Sequence, residues 1–268
     1  MPKSSQYNTL LWSATPVEGG PVSYLFGTMH VRDERAFHLL APVYRYIDEC
    51  EALALEFDLD EAGAGLDPAM LQLPEGQTLE GLLGAPKFDK LRSFLLRALG
   101  IDLRMFQRVL PMMTINAINE QLMSKDRPLA LDEQLWQYAK EQGKSIVGIE
   151  TYREQLEVLQ SISVEMQLQA LLWMGRSLSR HRRHLRKMAD LYEAGDIYRL
   201  HRASKRSASG MRHTLLYRRN AIMAERIGQL IRQRAAVCAV GAGHLAGGKG
   251  VLRLLKYKGF RLRPVELR

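Results

Sequence analysis

Four short apolar runs punctuate the chain, and each leads to a polar residue. "SYLFGTMH" runs from Ser23 to His30, and "ALALEFD" from Ala52 through Glu56 to Asp58. "SIVGIET" runs from Ser145 through Glu150 to Thr151, and "AVCAVGAGH" from Ala236 to His244. Each is strand-length and shows little alternation, the pattern of a strand buried on both faces of a sheet. Helical spacing lies between them. Leu39, Leu40, Val43 and Ile47 set a helix over 36–50. A second runs over 132–142, opened by Asp132 and closed at Gly143, and a third over 249–258 before Gly259. "FRLRPV" then alternates like a last strand, and "PVEGGP" reads as the turn of an antiparallel hairpin between "LLWSAT" and "VSYLFG". Strands alternating with helices predict an α/β fold with a mostly parallel central sheet. Two longer stretches, 78–125 and 151–234, read as helical insertions, the second broken near Gly195 and at "SKRSASG". No linker composition separates them, so the expectation is one domain over 1–268.

Composition narrows the class without naming a function. With 46% hydrophobic and 25% charged residues, the 268-residue chain is ordinary for a globular protein. Its two cysteines, Cys50 and Cys238, are too few for a disulfide framework and are expected as free buried thiols. No apolar run is long enough for a signal-peptide core or a membrane span, so the expected location is cytoplasmic. The net charge of +9 is uneven. Residues 176–234 hold 16 Lys and Arg against 4 Asp and Glu. That region reads as a solvated helical face, as a surface for an anionic substrate or partner, or as a nucleic-acid surface. No nucleic-acid motif accompanies it, so no nucleic-acid partner is expected.

The polar residues at the strand ends carry the candidate chemistry. Ligands of open parallel sheets sit beyond the carboxyl ends of the strands. His30, Glu56, Glu150 and His244 are all delivered there. Two imidazoles and two carboxylates suit a divalent transition metal, which can activate water and polarise a carbonyl. A carboxylate left over can act as general base. Gly27, Gly241 and Gly243 allow a close backbone approach before each histidine. One Gly-x-x-His alone reads as a hydrogen-bonded strand end; two copies together with two acids favour a site. Asp132 is either a helix N-cap or a group orienting a ligand histidine. His181 and His184 are three apart on a helix, but the arginines around them repel a cation. Met112, Met113, Leu171, Leu172 and Trp173 are expected in the core.

The chain resembles the TraB/GumN family, which is similar to the Tiki metalloproteases and, more distantly, to the erythromycin esterase group. The resemblance rests on "LFGTMHV", "ALALEFD", "LPEGQTLEGLL" and "LALDEQLWQYAKEQGKSIVGIET". It continues through "RRNAIMAERI" and "VCAVGAGHLAGGKGVLRLLKYKGFRLRPV". Ala130 stands where relatives usually carry glycine. The resemblance implies an α/β core of two related halves and a metal-dependent hydrolase. It implies that His30 and His244 are the essential Gly-x-x-His pair of Mn- or Co-dependent peptide cleavage. Glu56 matches the strand acid, Gly148 to Thr151 the Gly-Leu-Glu-Thr element, and Arg219 with Asn220 the late-helix Arg-Asn pair. One bacterial branch is linked to shutting off a peptide pheromone.

The resulting expectation is a metal-dependent hydrolase of peptide or related amide or ester bonds. His30, Glu56 and His244 would hold Mn, Co or Zn. Glu150 would be a fourth ligand or the base, and Arg219 would stabilise charge. Asp132, Asn220, Gly27 and Gly241 would support them. The alternative is a protein that sequesters a peptide or other ligand without turnover. The expected partners are a peptide or small anionic substrate and a second copy of the chain meeting through the helical insertion.

Overall fold

The computed structural model describes residues 8–63, 68–208 and 210–266. Six strands form one mixed sheet: β1 (Leu11–Pro16), β2 (Ser23–Thr28), β3 (Ala52–Leu55), β4 (Ser145–Gly148), β5 (Ala236–Gly241) and β6 (Phe260–Pro264). Their order across the sheet is β4-β3-β5-β2-β1-β6. β1 is antiparallel to β2 and to β6, and the predicted hairpin forms with Leu11 opposite Phe26. β4, β3, β5 and β2 are mutually parallel neighbours. The fold class read from the sequence is therefore the one observed, an α/β fold with a mostly parallel sheet.

Burial explains why those runs become strands. Every residue of β3 is buried, as are the first five of β5. Such strands cannot alternate, because neither face meets water. β6, at the edge, alternates instead: Phe260 is buried, Arg261 and Arg263 are exposed, and Leu262 and Pro264 are half-buried. The helices pack on this sheet through regular stripes: Val43 and Ile47 on Leu40–Glu49, Leu131, Leu135 and Ala139 on Leu131–Glu141, and Met223, Ile227 and Ile231 on Arg219–Gln233. Each large side chain buried this way contributes roughly 1.5–3 kcal/mol, more than any local helix preference. Cys50 and Cys238 are free and buried.

The chain divides into two compact units. The first, Met1–Ala64, Lys125–Tyr152 and Met188–Arg268, holds the sheet. The second, Gly65–Ser124 and Arg153–Lys187, is helical. The long stretch 151–234 is thus split: residues 188–233 belong with the sheet. The second unit has its own core, including Leu79, Phe88, Leu95, Leu103, Ile118 and Leu171. Buried Gln167 ties it together, donating to the carbonyls of Leu159 and Ile162 and accepting from the Met112 N–H. Trp173, expected in the core, is 52% exposed, because its helix turns Leu171 and Met174 inward instead. Among the described residues no helix is long and apolar enough to cross a membrane.

Candidate functional site

The parallel strands deliver the expected residues to one edge of the sheet. His30 lies two residues past β2, Glu56 one past β3, Glu150 two past β4, and His244 on the short helix Ala242–Leu245 that follows β5. They arrive in three different environments.

His30 keeps 68% of its side chain exposed, and its Nδ1 donates to Asp132 Oδ2 at 3.3 Å. Asp132 is brought there by the start of helix Leu131–Glu141, where the Leu131 N–H donates to the Val31 carbonyl at 3.2 Å. Asp132 is not the N-cap; Ala130 is, and its N–H is capped by the Glu133 carboxylate at 2.7 Å. The first-turn carboxylate is left to orient the imidazole. That hydrogen bond raises the His30 pKa above its ordinary value, against the opposing effect of burial.

His244 is 7% exposed and its Nδ1 lies 2.5 Å from Asn220 Oδ1. The Asn220 amide is fixed by its own nitrogen, which donates to the Lys249 carbonyl at 2.7 Å. The oxygen therefore faces His244, Nδ1 carries the proton, and Nε2 keeps its lone pair. Burial outweighs the attraction of Glu56 and pushes the His244 pKa down to about 4, so the ring is neutral at pH 7. Asn220 is the second residue of helix Arg219–Gln233, directly after a π-helical turn over His213–Arg218. Wide turns of this kind often re-aim side chains at a site.

Arg219 joins the two glutamates. Its Nη2 donates to Glu56 Oε2 at 2.7 Å and to Glu150 Oε2 at 2.5 Å, and its Nε donates to Glu150 Oε2 at 3.0 Å. The other Glu56 oxygen accepts the Gly241 N–H at 2.7 Å. Exposure is low throughout: 14% for Arg219, 23% for Glu56 and 3% for Glu150. Burial alone would raise the Glu56 carboxyl. The Arg219 guanidinium, His244 and the Gly241 N–H outweigh it and bring the pKa down to about 2.

One pocket of about 220 Å³ gathers part of this set. Thr28, His30, Glu56, Gly241 and His244 line it; Glu150 and Arg219 do not. Two glycines are closely packed beside it. A Cβ on Gly27 would lie 2.8 Å from Leu245 Cδ1 and 3.2 Å from the backbone of Ala242. One on Gly241 would crowd Glu56 Oε1 at 3.1 Å. Met29 lines it too, and the helices after residue 187 add Met188, Tyr192, Leu200, Ser204 and Leu216. None of these was legible as a site residue, and no spacing marks them. Tyr192 is fully buried and its hydroxyl donates to the Gly27 carbonyl at 2.7 Å, bracing the turn into His30. His201 Nδ1 similarly contacts the Gly243 carbonyl at 2.9 Å, beside His244. Part of the basic excess is also structural: besides Arg219, Arg226 donates to the Ile149 carbonyl and Arg232 pairs with Glu18.

The expected ion site can be tested against this donor set. Both imidazoles have the arrangement of metal ligands, with Nδ1 anchored by a side chain. The carboxylates do not: both oxygens of Glu150 accept from Arg219, and Glu56 accepts from Arg219 and from a backbone N–H. Among the described residues, no three side chains of the His, Cys, Asp and Glu types are gathered so as to hold a metal ion. The residues as arranged do not fit the expected ion, and the cation between the glutamates is the guanidinium of Arg219.

Comparison with known proteins agrees with the motifs. Residues 10–264 match the model of the TraB/PrgY/gumN family. The chain is 25% identical to the metalloprotease TIKI2 of Danio rerio, over 95% of this chain and 60% of that protein. It thus spans about 60% of the length of this curated relative. No solved structure matches it.

Proposed function

The chain belongs to the TraB/PrgY/gumN family, and on that footing we propose that it hydrolyses a peptide or related amide or ester bond at the pocket between His30 and His244. The observation that carries this reading is the pair of imidazoles, each held at Nδ1 by a side chain, lining one pocket with an ionised carboxylate. A TIKI2 relative named as a metalloprotease supports the hydrolytic class.

The two histidines are suited to different tasks. His30, backed by Asp132, is the stronger base and the more accessible one. Its Nε2 takes a proton from water as the oxygen attacks the carbonyl carbon, then returns that proton to the leaving amine or alkoxide. Asp132 holds the tautomer and stabilises the imidazolium formed in between. His244 stays neutral and accepts a hydrogen bond at Nε2, which orients water or a substrate N–H. Arg219 and Glu150 sit behind Glu56 and fix its carboxylate; their role is positioning.

The test is cleavage of a pooled synthetic peptide library by the full chain, read by mass spectrometry, with and without added Mn²⁺, Co²⁺ or Zn²⁺ and with chelator. His30→Ala and His244→Ala should each abolish cleavage. Specific binding of peptides without cleavage under every condition would replace this reading with the sequestering one.

A further inference from the structure

The proposed chemistry leaves one wall of the pocket unused. Met29, Met188, Leu200 and Leu216 line it with apolar surface, Leu200 and Leu216 from buried positions. Size limits what they can receive. An apolar cavity of about 150 Å³ holds benzene, whereas pockets for whole drug-sized ligands run to about 300–1,000 Å³. At about 220 Å³ this one fits a single large side chain.

Charge narrows the choice further. Glu56 brings a carboxylate to the lining, and the His244 ring beside it is held at Nδ1 by the Asn220 side-chain oxygen. Arg219 donates to Glu56 and Glu150 and does not line the pocket. Among the lining residues an acidic side chain would meet Glu56 and, as a counter-charge, only His30, which Asp132 already engages. A basic one would lose its hydration to a carboxylate already neutralised by Arg219 and the Gly241 N–H.

We propose that this pocket seats one uncharged apolar side chain of leucine, methionine or phenylalanine size beside the bond to be cut, and that Met188 and Leu216 set that preference. The proposal rests on the hydrolase reading and names its substrate class. One methylene more or less in such a pocket changes selectivity by about 10–200-fold. Met188→Ala enlarges the pocket and moves the preference from leucine toward phenylalanine. Leu216→Trp fills it and moves the preference toward alanine.

The experiment follows methionine methyl signals by NMR in the full chain. The probes are N-acetyl amides of alanine, leucine, methionine, phenylalanine, aspartate and lysine, and the Met188 signal is assigned from Met188→Ala. Leucine, methionine and phenylalanine amides should move the Met29 and Met188 signals at concentrations at least tenfold below those needed for alanine or aspartate. Met188→Ala should raise phenylalanine over leucine about tenfold. The proposal is overturned if the aspartate or lysine amide binds as well, if no amide moves these signals, or if Met188→Ala leaves the ranking unchanged. Because the amides are read by binding and the peptides by cleavage, the hydrolase reading fails separately: the amides bind in this order but library peptides rich in the same residues stay intact.

Discussion

Asn220 reads His244 from one side and the Lys249 carbonyl from the other, through 2.5 Å and 2.7 Å hydrogen bonds to a single buried amide. Asn220→Leu removes both contacts in nearly the same volume. The His244 Nδ1–H and the Lys249 carbonyl are then left without their partner, at about 1–3 kcal/mol for each buried group. Urea unfolding should show that loss. Asn220→Asp should lift the His244 pKa from about 4, since a carboxylate stabilises the imidazolium. An unmoved His244 titration by NMR would count against the assigned tautomer.

Arg219 holds two carboxylates in little-exposed positions. Arg219→Met leaves them facing one another without a cation, and breaking a buried pair in this way costs about 3–5 kcal/mol. The cost should shrink as pH falls, because one carboxyl then takes a proton. Arg219→Lys keeps the charge but loses the forked geometry, and should fall between the two. Unfolding free energies at pH 5 and pH 7 decide it; equal stability of Arg219→Met and wild type at pH 7 contradicts the ion triad.

Asp132 raises the basicity of His30, so Asp132→Asn should lower the His30 pKa toward its ordinary value. The acid limb of kcat/KM should move to lower pH by the same amount as the NMR titration. The rate on the plateau should fall by about 10²-fold or more, as expected when a general base loses its orienting carboxylate. Stability should change little, because His30 is mostly exposed. An acid limb that stays in place would assign the proton transfer to another group.

Acid should weaken the fold in two steps. His244 has a folded pKa of about 4 against an ordinary 6.5, so the unfolded chain binds the proton first. Stability is complete above pH 6.5 and is lost as pH falls toward 4, by up to roughly 3 kcal/mol at 1.36 kcal/mol per unit. Glu56 adds a second loss with the same sign, between its ordinary 4.5 and about 2. His244→Asn should remove the first step and keep the second. Denaturant midpoints measured from pH 7 to pH 3 separate them.

The inner strands β3 and β5 were legible because they are buried on both faces, which writes unbroken apolar runs into the sequence; β4, expected to be the same, lies at the sheet edge and has no fully buried residue. The strand-end residues were legible because position past a parallel strand fixes location with no need of contacts. What those residues bond to was not. Arg219 was expected to stabilise charge; that its Nε and Nη2 donate to Glu56 and Glu150 is a matter of side-chain packing between distant segments. The apolar lining of Met188, Leu200 and Leu216 was hidden for the same reason. A helical stripe facing a cavity has the same period as one facing a core. Trp173 shows the converse: a large aromatic in a helical stretch carries no mark that its own face is open.

β5 is the fifth strand in the chain, yet it lies between β3 and β2, two of the first three. Before residues 236–241 are made, β1 can pair with β2 and β3 with β4, but nothing joins the two pairs. The central strand is a keystone set late. During synthesis the nascent chain would carry two unpaired inner edges, open to wrong partners, until the penultimate strand emerges. The same strand brings His244 and the Gly241 N–H to Glu56. Joining the two strand pairs and assembling the pocket are then one event.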